Sequence, residues 1–396
     1  MKKLAVHGGT PVRSSMLPYA TQSIDDSDVA IVSQVMRSSY LTQGPWVEKF
    51  EQAICDRVGA NYAVAFSSGT AALHGAYQVA GLGPGDKMIT SPITFVATSN
   101  AAFYTGASPD FADIDPNTYL LDPTCVKSGM SDNVKLIAPV DFTGQPAPID
   151  QFKSILGEER PVILQDAAHS LGAIDQGRPV GKIADMTMFS FHPVKQVTTG
   201  EGGMIVTDNA DYAKALVDFR SHGITRDSKR LIENHGPWYY EMQSLGYHYR
   251  MTDLQAALGC NQLLRLDEFL FRRRMIASTY QQAFANLPGI QIPTIREGAE
   301  SAWHLYVIQW RVGAFRVSRK ELFEAMRAEN IGVHVHYIPV HHQPYYQKNG
   351  FAGKTYERAE SYYLQAMTLP LFPAMTDQDV TDVIDAIHKV YNMHVI

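Results

Sequence analysis

The chain holds 396 residues, enough for two or three domains at roughly 100 to 200 residues each, and its 45% apolar and 19% charged content excludes disordered, collagen-like and coiled-coil classes. Thirty-four Lys and Arg against 40 Asp and Glu leave a net charge of -6, so no global basic field invites nucleic acid or anionic lipid. The three cysteines, Cys55, Cys125 and Cys260, lie far apart with no CxxC spacing and read as buried, inert thiols of a reducing compartment.

Residues 1–25 have no clear period and contain Pro11 and Pro18, which marks an N-terminal arm lying on another element. The basic start carries no apolar stretch of secretory length, and no 18-residue apolar run occurs anywhere; a soluble, cytoplasmic chain is the expectation, with no membrane partner. From residue 26 to 262 short apolar runs alternate with helical patterns. Asn61 to Phe66 reads as a strand, Thr70 to Ala80 as a helix, and Gly83-Pro84-Gly85-Asp86 as the closing turn. The strand signal repeats at Met88 to Thr90, Pro109 to Ile114, Leu136 to Val140, Val162 to Gln165, Met186 to Phe191 and Met204 to Val206. Strands separated by helices predict an α/β domain with a mostly parallel central sheet and helices on both faces. Residues 263–396 read as a smaller C-terminal α+β domain. It starts with a long helix, Leu263 to Phe284, whose Arg272-Arg273-Arg274 reads as a solvated face. Ser318-Arg319-Lys320-Glu321 opens a further helix as a capping box, Gly332 is expected to end it, and Val333 to Ile338 to form a strand. A last helix is expected from near Thr376.

Four segments carry chemistry. Phe66-Ser67-Ser68-Gly69-Thr70-Ala71 puts small residues between a strand and a helix, where free amides and the helix dipole suit a phosphate. No Gly-Lys-Ser/Thr follows, so it is not a P-loop, and alone it is equally a plain helix cap. Val162 to His169 is an apolar strand ending in Asp166 and two alanines, which aims a carboxylate into the crevice at the carboxyl edge of the sheet. Phe189-Ser190-Phe191-His192-Pro193-Val194-Lys195 presents one lysine on a Pro-containing loop. Gln196 to Gly203 then returns the chain through a Gly-rich turn.

In this order the four segments resemble the DegT/DnrJ/EryC1/StrS sugar aminotransferases, which are pyridoxal-phosphate enzymes of fold type I, the aspartate aminotransferase-like fold. Phe189 to Lys195, Phe219 to Ile224, Leu245 to Arg250 and Ile331 to Pro339 are similar, more narrowly, to the branch that serves pseudaminic acid biosynthesis. The resemblance implies pyridoxal 5′-phosphate as cofactor, with pyridoxamine phosphate as its amino form. It makes Lys195 the covalent anchor and proton carrier, and Asp166 the partner of the pyridine nitrogen. It assigns Thr70, Ala71 and Ser190 to the phosphate and sets Phe95 and Ala168 against the two ring faces. His248 stands where that branch usually has Asn, reaching the phosphate from a partner subunit. A histidine there still donates, and ties phosphate affinity to pH. In the related dehydratases His replaces the lysine, so Lys195 favours amino transfer.

The same resemblance places Tyr19, Leu41, Thr42, Gln43, Gly44, Ser190, His336 and Tyr337 at the sugar. The expected substrates are a UDP-linked keto-sugar and L-glutamate, the donor carboxylate being met by Arg250 or a nearby Tyr, and the expected assembly is a homodimer with a shared site. Other nucleotide-linked keto-sugars, of bacillosamine, legionaminic or dTDP-sugar type, and a non-catalytic cofactor-binding regulator are the alternatives. A metal site is not expected: His334, His336, His341 and His342 are close in sequence, but no carboxylate or Cys lies nearby at ligand spacing.

Overall fold

A computed structural model describes residues 3–396, so the first two residues of the expected arm lie outside the described ones. Seven strands form the central sheet: β1 (Tyr62–Phe66), β2 (Lys87–Thr90), β3 (Ser108–Phe111), β4 (Val134–Ala138), β5 (Val162–Asp166), β6 (Met186–Ser190) and β7 (Gly203–Thr207). Their order is β1-β7-β6-β5-β4-β2-β3. The run from β6 to β3 is parallel, and β7 lies antiparallel between β1 and β6.

The pleat explains how one apolar run serves two layers. Ile205 packs with Val64, Ala72, Leu73 and Ala76, whereas its neighbours Met204 and Val206 pack with Phe50, Ile54, Val58 and Leu270 on the opposite face. The first layer is built by α3 (Gly69–Val79) and α4 (Val96–Tyr104). The second uses α2 (Pro45–Val58) with two later helices, α6 (Asp253–Leu263) and α7 (Leu266–Phe284). Between α4 and α6 lies α5 (Ala210–Phe219), whose Leu216 and Phe219 join the first layer, and α1 (Asp26–Met36) packs on α6.

A second core gathers Ile276, Tyr280, Tyr306, Ile308, Met326, Ile331, Val383 and Ile387. It lies between a three-stranded antiparallel sheet, β8 (Ile290–Gln291), β9 (Tyr306–Trp310) and β10 (Ala366–Leu369), and the helices α8 (Arg319–Ala328) and α10 (Asp377–His394). Between them α9 (Glu357–Gln365) packs on β9. The N-terminal segment completes this core: Leu4 and Leu17 are buried in it, and Leu17 pairs with Ile331. The Glu329 carboxylate accepts the Ala5 and Val12 amides at 2.8 and 2.9 Å, and Arg13 reaches Asp379 and Asp382 at 2.6 Å.

Several expectations change. The long helix starts three residues later than expected, at Leu266, after a break at Leu264 and Arg265 that leaves Leu263 as the last residue of α6. Arg273 is 1% exposed and not solvated, because its Nη1 donates to the carbonyls of Trp303, His304 and Leu371 at 3.2, 3.2 and 3.0 Å. The capping box at Ser318 is formed, but α8 stops at Ala328 and Asn330 takes the left-handed turn at φ 61°. Gly332 instead lets the arm approach: a Cβ there would stand 2.5 Å from the Leu17 carbonyl oxygen. Residues 333–338 form no strand, only a bridge from His334 to Thr368. Of the cysteines only Cys55 is buried, although burial raises all three thiols, Cys55 and Cys260 to about 11.

Candidate active site

Asp166 closes β5 and is buried. Its Oδ2 accepts the Thr98 hydroxyl at 2.7 Å and its Oδ1 accepts the Ala168 amide at 3.2 Å. Thr98 is held in turn by Thr94 at 2.9 Å. No cation forms an ion pair with Asp166 among the described residues, and burial pushes its carboxyl above the usual range against these hydrogen bonds and the pull of Lys195. A buried carboxylate with two neutral donors and no cation in contact suits a cationic ring nitrogen, which would restore the ionised form.

Lys195 sits on the loop that leaves β6 and returns to β7. Both ends of that loop are tied: Phe191 N–H donates to Gly202 at 2.9 Å, and Thr199 N–H to Phe191 at 3.0 Å. The loop therefore presents the lysine at a fixed place. Burial lowers the Lys195 ammonium to about 8, the attraction of Asp166 opposing this and Arg273 assisting it. An amine that is partly neutral near pH 8 is a competent nucleophile and proton carrier.

At the other edge of the crevice, Ser68 caps α3 and accepts the Ala71 amide at 3.1 Å. The Ala71 amide expected at the phosphate thus already has a partner, and the Thr70 end of the turn is left for an anion. A Cβ on Gly69 would lie 3.4 Å from the Ser190 hydroxyl, and one on Gly203 only 2.4 Å from the Ser68 carbonyl oxygen. Two glycines therefore press this helix start onto β6 and β7 beside Ser190. Ser67 N–H donates to Tyr249 at 2.8 Å, which draws the Tyr247-His248-Tyr249 segment to the same turn of its own chain, with the His248 side chain exposed.

Phe95 caps α4 with its ring 59% exposed, and Ala168 packs on the core beneath. Tyr337 links the segment expected at the sugar to the crevice. Its ring is 6.3 Å from Phe95, and its hydroxyl is 3.3 Å from His169 Nε2. His336 Nδ1 meets the Thr368 hydroxyl at 2.8 Å, and the Tyr19 ring packs tilted against His334 and His336, with centroids 5.2 and 5.4 Å away. Tyr19, His336 and Tyr337 thus come together beside Asp166 and Lys195.

The turn Leu41-Thr42-Gln43-Gly44 does not join them through its hydrogen bonds. Gly44 N–H donates to the Asp253 carboxylate at 2.8 Å, Leu41 accepts the Asp253 amide at 3.0 Å, and Thr42 pairs with Thr252. The Gly44 amide expected at the sugar is occupied within the chain. Gln43 and Gly44 line a separate cavity of about 260 Å³ with Arg220 and Arg250.

Two residues were missed by motif reasoning. Thr98 orients Asp166, and the only hint was its position four residues after Thr94. His169, three residues after Asp166, is buried with Nδ1 unpartnered and packs at 4.3 Å on His304. Burial, with Lys195 and His336 nearby, holds it well below the ordinary imidazole range, hence neutral. An uncompensated carboxylate, a depressed lysine, a glycine-cleared helix start and an orphaned imidazole nitrogen fit a phosphorylated pyridine aldehyde.

The chain belongs to the DegT/DnrJ/EryC1/StrS aminotransferase family, whose model matches residues 22–388. It is 41% identical over 380 residues to the spore coat polysaccharide biosynthesis protein SpsC of Bacillus subtilis, covering 96% of this chain and 98% of that one. It is 36% identical to the UDP-4-amino-4,6-dideoxy-N-acetyl-beta-L-altrosamine transaminase of Campylobacter jejuni, covering 95% and 97%. Helicobacter pylori PseC, an aminotransferase of pseudaminic acid biosynthesis, superposes with a TM-score of 0.89 at 28% identity, covering 96% and 100%. A sugar aminotransferase of Streptococcus pneumoniae, solved in pyridoxal-phosphate and pyridoxamine-phosphate forms, matches with TM-scores of 0.88 and 0.89 at 29% identity. It covers 96% and 95% of this chain and 99% of the other in both forms. The chain is therefore a pyridoxal-phosphate-dependent sugar aminotransferase of fold type I. None of its described helices is long and apolar enough to cross a membrane.

Proposed function

We propose that the enzyme takes the amino group of L-glutamate and delivers it to the C4 ketone of a UDP-linked 2-acetamido-2,6-dideoxy-4-keto-hexose. The observation that carries this reading is the contact of Tyr337 with His169, which joins the segment carrying His336 to the crevice of Asp166 and Lys195. The Campylobacter relative, named for such a UDP-linked amino-sugar, supports the same choice.

When bound, pyridoxal phosphate supplies an electron sink that stabilises negative charge at the donor's α-carbon. The protein's own groups do the rest. Asp166, oriented by Thr98, keeps the ring nitrogen protonated. The Lys195 Nζ moves the proton between the donor's α-carbon and the cofactor's C4′. Ser190 and the Thr70 end of α3 hold the phosphate. Phe95 and Ala168 confine the ring, and Tyr19, His336 and Tyr337 orient the sugar.

A homodimer with a shared site belongs to the same reading. The exposed Trp238, Met242 and Leu245, 72%, 66% and 75% exposed, support it, since large apolar side chains this open in one monomer call for a cover. The greater identity to the spore coat protein favours a second reading, the same chemistry on another nucleotide-linked keto-sugar. Incubation with glutamate and the keto-sugar should yield 2-oxoglutarate and one amino-sugar whose C4 configuration is read by NMR. No 2-oxoglutarate beyond the single equivalent released by glutamate alone with this sugar, but turnover with another keto-sugar, would replace the first reading by the second.

A further inference from the structure

We propose that His341, His342 and Glu360 form a divalent transition-metal site of zinc type, separate from the cofactor crevice, which clamps the turn after Tyr337 to helix α9. The two histidines lie in the short helical turn Val340–His342, and Glu360 in the first half of α9. Their Nε2 atoms converge on one carboxylate oxygen, Glu360 Oε1, at 3.1 and 3.4 Å. All three donor atoms lie within 4.8 Å of one another. Ligands bound at 2.0–2.1 Å in a tetrahedron stand about 3.3 Å apart, so two edges of the coordination figure already have the required length.

The donor chemistry fits. Two imidazoles and one carboxylate suit zinc and its first-row neighbours. The His341 side chain is fully buried, against Tyr356 at 4.8 Å and Phe111 at 6.5 Å, which fixes its ring. The side chains of His342 and Glu360 are 36% and 31% exposed, which leaves the fourth position to water.

The location gives the clamp a purpose. Val340 N–H donates to Pro92 at 2.9 Å, just before Phe95, and the Tyr362 hydroxyl of α9 donates to His336 at 2.8 Å. An ion there would hold both elements that position His336 and Tyr337.

The test is equilibrium dialysis of the cofactor-loaded full chain, without a polyhistidine tag, against zinc after chelator treatment, with bound metal counted by elemental analysis. One zinc per chain is expected, and His342→Ala and Glu360→Gln should each weaken binding by about tenfold or more, since even changes behind a ligand cost about 10- to 100-fold. Both positions are partly exposed, so the variants are expected to fold. Wild-type protein that retains no zinc overturns the proposal, and so does zinc retained equally by both variants, which would place the ion elsewhere.

Discussion

Lys195 and Arg273 are two cations drawn into the same protein, and their surroundings differ in one respect. Arg273 gives its guanidinium to three backbone carbonyls, whereas Lys195 has a neighbouring carboxylate but no ion pair within contact distance. Burial lowers both, Arg273 to about 10 and Lys195 to about 8. One region spends its buried charge on holding backbone together. The other leaves its polar groups facing a crevice, where only a ligand completes them. Burial of charge does not by itself mark a site: Arg273, with Nη1 on three carbonyls and Nε unpartnered, is taken up by the fold, whereas Lys195 faces the Asp166 carboxylate at the crevice.

The sharpest way to break this contrast is Lys195→Ala. It should lower kcat by about 10⁴-fold, the upper range for loss of a positioned proton carrier, while the urea midpoint stays within error. A variant that kept turnover would remove Lys195 from the chemistry. Arg273→Met should do the reverse. Three buried carbonyls lose their donor, and at about 1–3 kcal/mol for each unsatisfied group the fold should lose about 3–9 kcal/mol in chemical denaturation. Folded protein that remained should still show the cofactor's absorbance, which separates a structural cation from a reacting one.

Thr98→Val tests the support of Asp166 with a smaller effect. Removing the 2.7 Å hydroxyl should raise the carboxyl further and lower kcat/KM about tenfold, about 1.4 kcal/mol, with cofactor affinity falling in parallel. An unchanged pH profile would make Thr98 a packing residue only.

The smallest effect is a slope. His336 is pushed by burial from 6.5 to about 3, so between those values the unfolded chain binds a proton that the folded chain does not. Stability contributed by neutral His336 is therefore present above pH 6.5 and is lost as pH falls toward 3, by at most about 1.4 kcal/mol per pH unit. His336→Asn should flatten this acid limb in urea titrations; an identical limb would assign it to His169 and His304, which burial lowers as well.

The sheet and the lysine loop were legible because a strand-end signal depends on neighbours along the chain. Asp166, Ser190 and Lys195 all lie within or just after such runs. What was not legible depends on distant partners. Arg273 stands in a triple-arginine run on a helix, and nothing local distinguishes the middle one until the carbonyls of Trp303, His304 and Leu371 arrive from elsewhere. Glu360 lies eighteen residues beyond His342 and reaches it only because α9 folds back over the Pro339 turn. The turn at Leu41 to Gly44 was only partly legible for a related reason: its Gly44 amide suits a hydroxyl until Asp253 is found on it.

The arm has a consequence for the order of events during synthesis. Leu4 and Leu17, made before the central sheet, are buried among residues 276–391, made after it, and the Ala5 amide waits for a carboxylate 324 positions later. The N-terminal segment therefore has no resting place while the central sheet assembles. On a ribosome it stays open to proteases and chaperones until the final helices emerge, and only then does the clasp of Arg13 on Asp379 and Asp382 shut.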